Sequence, residues 1–213
     1  MTLMGEERIA IVFDYDGTLI DTMKIKAASY LNAFESVFST PCSLKDKILE
    51  SQKRTAGAHR FIQLSDTLGI LGLTATDEEK ERWSTIYSSL NEKALAKVQL
   101  FPSVEKTLDY LKQKGFQLFA VSGIPEHEFL AELSRKRLMR FFIEAKGGDK
   151  PAFLASLKQR GFRIALFAGD TSYDQKAAAD AGVLFFRVNS DKDIRSLLSY
   201  IENMEKIPHG KSL

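Results

Sequence analysis

Four acidic residues, one lysine and one serine carry the chemical interest of this chain. Asp14 and Asp16 stand two apart in Asp14-Tyr15-Asp16-Gly17-Thr18, directly after the branched apolar run Ile9 to Phe13. Asp170 and Asp174 follow a second apolar run, Ile164 to Ala168, and Ser122-Gly123 closes a third, Phe116 to Val121. Carboxylates gathered at one place repel one another unless a cation sits among them. An all-oxygen donor set points to a hard cation, and Mg²⁺ is the usual one where phosphate is also bound. Gly17-Thr18 and Ser122-Gly123 offer N–H and hydroxyl donors to anionic oxygens, and Lys150 adds positive charge ahead of a helix. One carboxylate can then act as nucleophile on a charge-neutralised phosphoryl group. The other, two residues on, can reach the leaving oxygen as acid and then as base.

These residues act together only if the fold brings them together. The three apolar runs read as buried parallel strands, each ending in polar residues. Ligands of open α/β sheets bind at the carboxyl ends of such strands. Further strands are expected over 141–143 and 183–188. Helices are expected over 104–115, 126–138, 172–181 and 194–204, with Pro151 at another helix start. Strands alternating with helices imply a parallel sheet covered on both faces. Between the first strand and residue 96 the pattern changes. Leu31, Phe34, Val37 and Phe38, then Phe61, Leu64 and Leu68, then Trp83, Ile86, Tyr87 and Leu90 recur at helical spacing. The fold class is therefore α/β, a Rossmann-like core with an inserted helical unit. The expected boundaries are 1–22 and 96–213 for the core and 23–95 for the insertion. The tail 208–213 is polar and expected to fray.

Composition narrows the function. The chain has 213 residues, 44% hydrophobic and 27% charged, and its 30 basic and 28 acidic residues leave a net charge of +2. That balance argues against nucleic acid and against an anionic membrane surface as partners. The single cysteine, Cys42, excludes an intrachain disulfide, and a reducing, cytoplasmic setting follows. The apolar run at residues 9–13 is too short for a signal segment or a membrane span.

The stretch Asp14 to Thr22 resembles the first motif of the haloacid dehalogenase-like superfamily of phosphohydrolases. Ser122-Gly123 is similar to its second motif, Lys150 in Gly148-Asp149-Lys150-Pro151 to its third, and Gly169 to Asp174 to its fourth. The motifs occur in family order over nearly the whole chain. The resemblance implies a Mg²⁺-dependent phosphatase acting on a small phosphate ester. Asp14 would be the nucleophile and a metal ligand. Asp16 would be the general acid and base, and would bind metal through its carbonyl. Thr18, Ser122 and Gly123 would hold the phosphoryl group, and Lys150 would neutralise charge there. Asp170 would bind the metal directly, and Asp174 would support it through water or pair with Lys150. The insertion would be the family's helical cap, the layout of phosphoglycolate-phosphatase-like members.

Plainer readings compete at several positions. Lys146 is the other candidate for the lysine, although Lys150 has the family spacing. Asp170 can be read as a helix cap, and so can Asp21. Lys53-Arg54-Thr55-Ala56-Gly57-Ala58-His59-Arg60 is a basic turn in the insertion. Its Lys53, Arg54, His59 and Arg60 either bind an anionic leaving group or form a solvated charged loop. The same core serves sugar phosphomutases. A phosphonate hydrolase would need a Schiff-base lysine, for which Lys53 is the candidate, and a non-catalytic relative would be expected to have lost acids that are all present here. A dehalogenase would lack the second acid, Asp16.

Overall fold

The computed structural model describes residues 8–205. The frayed tail expected at 208–213 lies outside them. Five strands form one parallel sheet: β1 (Ile9–Asp14), β2 (Gln117–Ser122), β3 (Glu144–Gly147), β4 (Arg163–Gly169) and β5 (Phe185–Arg187), in the order β3-β2-β1-β4-β5. β1 lies at the centre, and the chain steps outward from it to one side and then the other. Its carboxyl end is therefore the topological switch point of the sheet.

Alternation along β1 divides the core. Ile11 and Phe13 point to a layer built from α5 (Val104–Gln113), α6 (Glu126–Arg135) and α9 (Asp191–Glu205), while Ala10 and Val12 point to α7 (Lys150–Gln159) and α8 (Ser172–Asp180). Both faces are covered, which is why the strand reads as a continuous apolar run.

Four helices intervene between β1 and α5: α1 (Met23–Phe38), α2 (Lys45–Arg54), α3 (Arg60–Leu71) and α4 (Asp77–Leu95). They bury a cluster of their own around Tyr30, Phe34, Ile48, Leu64, Leu68, Trp83 and Tyr87. The helix-spaced apolar positions of the sequence are the ones that face it. α4 starts in a capping box: Thr76 accepts from the Glu79 N–H, and the Glu79 carboxylate accepts from the Thr76 N–H. The two chain crossings between core and insertion lie side by side. Ile20 bridges Leu100 antiparallel, the Phe101 N–H donates to Leu19 O at 3.0 Å, and Asp16 bridges Ile20 within the first crossing.

Two local expectations need correction. The third strand runs over 144–147, and residues 139–141 form a 3₁₀ turn. Phe141 and Phe142 are buried as plugs of the lower core, whereas β3 is an edge strand with Ala145 its one buried residue. A strand so little buried leaves no apolar run to detect. Asp21 is exposed, and Thr22 occupies the N-cap position of α1 without a side-chain capping bond.

Candidate active site

The strand ends deliver the acids. Asp14 is the last residue of β1, Ser122 the last of β2, and Asp170 follows β4. Thr171, not Asp170, caps α8: its hydroxyl accepts from the Asp174 N–H, and the Asp174 carboxylate accepts from the Thr171 N–H at 3.1 Å. That box pins Asp174 below the sheet edge. Lys150 opens α7, where Asp149 caps the helix by accepting from the Ala152 N–H at 3.0 Å.

At the centre Lys150 is 1% exposed and donates to Asp14 Oδ1 at 2.7 Å and to Asp174 Oδ1 at 2.6 Å. Burial works against its charge, but the Asp14 and Asp174 carboxylates outweigh burial and hold the ammonium above its usual range. Burial, outweighed at Lys150, prevails at Asp14. Burial lifts it well above the ordinary value, Lys150 offsets part of that, and Asp174, Asp170 and Asp16 add to the rise. Asp170 is pushed up to about 7 by burial first and by Asp174 next.

Oxygens of Asp14, Asp170 and Asp174 lie within 4.8 Å of one another. Asp170 Oδ1 is buried without a hydrogen-bond partner. Gly17, at φ +82°, approaches so closely that a Cβ there would lie 2.1 Å from Asp170 Oδ2. An unpaired acceptor among close carboxylates suits a hard divalent cation. Asp174 has both oxygens engaged, one by Lys150 and one by Thr171. Asp14 is engaged too, by Lys150 at Oδ1 and more loosely by Thr18 at Oδ2, so Asp170 is the acid left with an oxygen that no hydrogen bond holds.

Asp16 is held from three directions. Thr22 Oγ1 donates to its Oδ1 at 3.0 Å, Ser122 Oγ to its Oδ2 at 3.3 Å, and the Lys26 ammonium also donates to Oδ2. Burial pulls Lys26 down, yet the neighbouring Asp16 carboxylate overcomes this and raises it. Sequence reasoning missed Lys26. The signal was there, because Thr22, Lys26 and Tyr30 stand four apart and so share one face of α1.

The insertion closes the site from above. A Cβ on Gly123 would lie 2.7 Å from the carbonyl oxygens of Gly57 and Ala58, and one on Gly57 (φ +88°) would lie 2.4 Å from Thr171 Oγ1. The 56–58 loop thus sits directly on the second and fourth motifs. Of the four basic residues of the turn, Arg60 alone lines the cavity above Asp14, Ser122, Gly123 and Lys150, beside Ala56, Gly57 and Ala58 of the same turn; Gln52, Gln63 and Tyr87 line it too, unforeseen. Arg60 is 2% exposed and pairs with Glu128 of α6 at 2.6 Å. Lys53, Arg54 and His59 do not reach the cavity. Lys53 is exposed, Arg54 pairs with Asp66 on the surface, and the His59 ring packs against Phe61. A helical face turns over within a few residues, so neighbours in a basic run need not share a target. Thr18 is fully buried and turns its hydroxyl to Asp14 Oδ2 at 3.4 Å. Lys146 pairs with Glu126 at 2.5 Å, half exposed and away from the carboxylates.

Fold and site together define a doubly wound α/β protein with a lysine-bridged carboxylate centre at its switch point and a helical cap over it. Residues 11–188 match the family model described as haloacid dehalogenase-like hydrolase. The chain belongs to that family. It is 31% identical over 186 residues to a phosphoglycolate phosphatase of Pasteurella multocida, covering 81% of each chain. It is 28% identical over 183 residues to phosphoglycolate phosphatase 1 of Pseudomonas aeruginosa, and there it spans 66% of the relative's length. A solved hydrolase from Pseudomonas syringae superposes with a TM-score of 0.75 at 20% identity, covering 93% of this chain and 98% of that one. Among the described residues no helix is long and apolar enough to cross a membrane.

Proposed function

We propose that this protein is a Mg²⁺-dependent phosphatase that hydrolyses a small-molecule phosphate monoester through an aspartyl-phosphate. The observation that carries this reading is the lysine bridge from Asp14 to Asp174, with the unpartnered Asp170 Oδ1 beside it. The relatives named phosphoglycolate phosphatase support the reaction class. The substrate falls among phosphoglycolate, sugar phosphates and nucleotides.

Asp14 attacks phosphorus with one carboxylate oxygen, and the P–O bond to the leaving group breaks. Asp16, having taken up a proton before the step, gives it to the departing oxygen. It then takes a proton from the water that attacks the aspartyl-phosphate, which releases phosphate and restores Asp14. Thr22, Lys26 and Ser122 hold Asp16 in place for both transfers. Lys150 keeps Asp14 oriented and offsets charge as the phosphoryl group approaches. Ser122 and the Gly123 backbone face the phosphoryl oxygens. Mg²⁺, held by Asp14, Asp170 and the Asp16 carbonyl with Asp174 in support, would neutralise phosphoryl charge. The lone, exposed Cys42 and the balanced charge support a cytoplasmic setting.

Hydrolysis of an aryl phosphate tests this. Turnover is expected with Mg²⁺, and it should vanish with EDTA and in Asp14→Asn. Wild-type turnover no greater than that of Asp14→Asn would overturn the reading.

A further inference from the structure

A second cavity lies between α4 of the insertion and α6 of the core. Its volume is about 580 Å³, inside the roughly 300–1,000 Å³ range of small-molecule sites. The cavity over Asp14 and Lys150 is far smaller, about 40 Å³, well below that range. With the 56–58 loop seated, the smaller space leaves no room for a sizeable organic group. The two cavities meet at Asp16, Lys26 and Ile124, which line both. The proposed proton carrier therefore faces the larger space as well as the phosphoryl end. In an in-line displacement the leaving oxygen lies opposite the nucleophile, and it must lie within reach of Asp16.

The wall of the larger cavity has a definite chemistry. Asn91 is 6% exposed, lines the cavity, and its Oδ1 has no partner. A buried amide oxygen without a donor is costly, and a ligand hydroxyl would relieve that cost. Glu81, Glu92, Glu128 and Glu132 also line it; Glu128 pairs with Arg60, Glu132 and Glu92 share Arg135, and with the Asp16–Lys26 pair set aside the four acids still outnumber these two arginines. Such a wall accepts hydrogen bonds and repels negative charge.

Resting on the phosphatase reading, we infer that this cavity holds the leaving group, and that the leaving group is a neutral, hydroxyl-rich group of monosaccharide size and not a small carboxylate. Asn91 is then a specificity-determining residue that receives a substrate hydroxyl.

Three probes test this, each with Mg²⁺: glucose 6-phosphate, 2-phosphoglycolate and acetyl phosphate. Glucose 6-phosphate should exceed 2-phosphoglycolate in kcat/KM by about tenfold or more. Asn91→Leu should lower kcat/KM for glucose 6-phosphate by about tenfold and leave acetyl phosphate within about twofold, since it removes one substrate hydrogen bond. Ala131→Phe narrows the cavity from an exposed position, so it tests the same point without touching the buried core. It should show the same split. A preference for 2-phosphoglycolate, or equal losses on glucose 6-phosphate and acetyl phosphate in both variants, would overturn the inference. Turnover of acetyl phosphate without glucose 6-phosphate would overturn it and leave the phosphatase reading standing. No turnover of any probe or of an aryl phosphate would remove that reading itself.

Discussion

Lys150 stands between two carboxylates with almost no access to water, and its removal would leave Asp14 and Asp174 buried without a countercharge. Breaking a buried pair in this way is strongly destabilising. Lys150→Met is expected to cost about 3 kcal/mol or more in urea unfolding. Lys146→Met removes a half-exposed pair with Glu126 and is expected to cost under ~1 kcal/mol. Equal costs would mean that the lysine bridge does not hold the site together. The contrast also shows what residue types alone leave open. Both lysines are plausible from composition, and family spacing favoured one. What separates them is depth: the first turn of α7 points Lys150 under the strand ends, while Lys146 lies on the outer face of β3.

At the scale of elements, the caps matter most. In α9, Ser190 and Asp193 form a box in which the Asp193 carboxylate accepts from the Asn189 N–H at 3.0 Å and from the Ser190 hydroxyl at 2.8 Å. The Asn189 N–H and then the Ser190 hydroxyl hold this carboxyl below its usual range. A depressed folded-state pKa contributes stability above the unfolded value and loses it as pH falls through the folded one. Asp193→Ala is therefore expected to cost about 1 kcal/mol near neutral pH. The cost should shrink in acid, where wild type has also lost the bond. Thermal unfolding at two pH values measures it, and a pH-independent difference would count against the box. The long strands and amphipathic helices were legible because burial on both faces, or on one stripe, writes itself into the order of apolar residues. β3 was not, since an edge strand with one buried residue leaves little trace. Asp14, Asp16, Ser122, Lys150, Asp170 and Asp174 were legible because each sits at an element end. Gln52, Gln63 and Tyr87 were not: they come from separate helices, and only tertiary packing brings them together.

At the scale of the molecule, α6 is where insertion and core hold each other. Glu128 takes Arg60 at 2.6 Å and the Ser88 hydroxyl at 2.8 Å, Arg135 reaches Glu92 at 3.5 Å, and Lys136 donates to the Val98 carbonyl near the second crossing. Arg60 also donates to Ser84 Oγ at 3.0 Å. It is thus committed to the closed arrangement, and its first effect is on closure. A double-mutant cycle of Arg60→Ala and Glu128→Ala should give a coupling energy of about 1–3 kcal/mol in unfolding experiments. Strict additivity would mean that the pair does not join the two parts.

The paired crossings between core and insertion set how the insertion can move. A single tether would let the cap swivel, tilt and slide. Two segments tied to each other by the Ile20–Leu100 bridge and the Phe101–Leu19 bond remove most of that freedom. What remains is close to one angular coordinate, the swing of a flap. Because Asp16 bridges Ile20 inside the first crossing, the axis of that swing passes beside the proposed proton carrier. A swing about that axis would shift Lys26 of α1 relative to Ser122 at the end of β2, the two groups that both donate to Asp16 Oδ2.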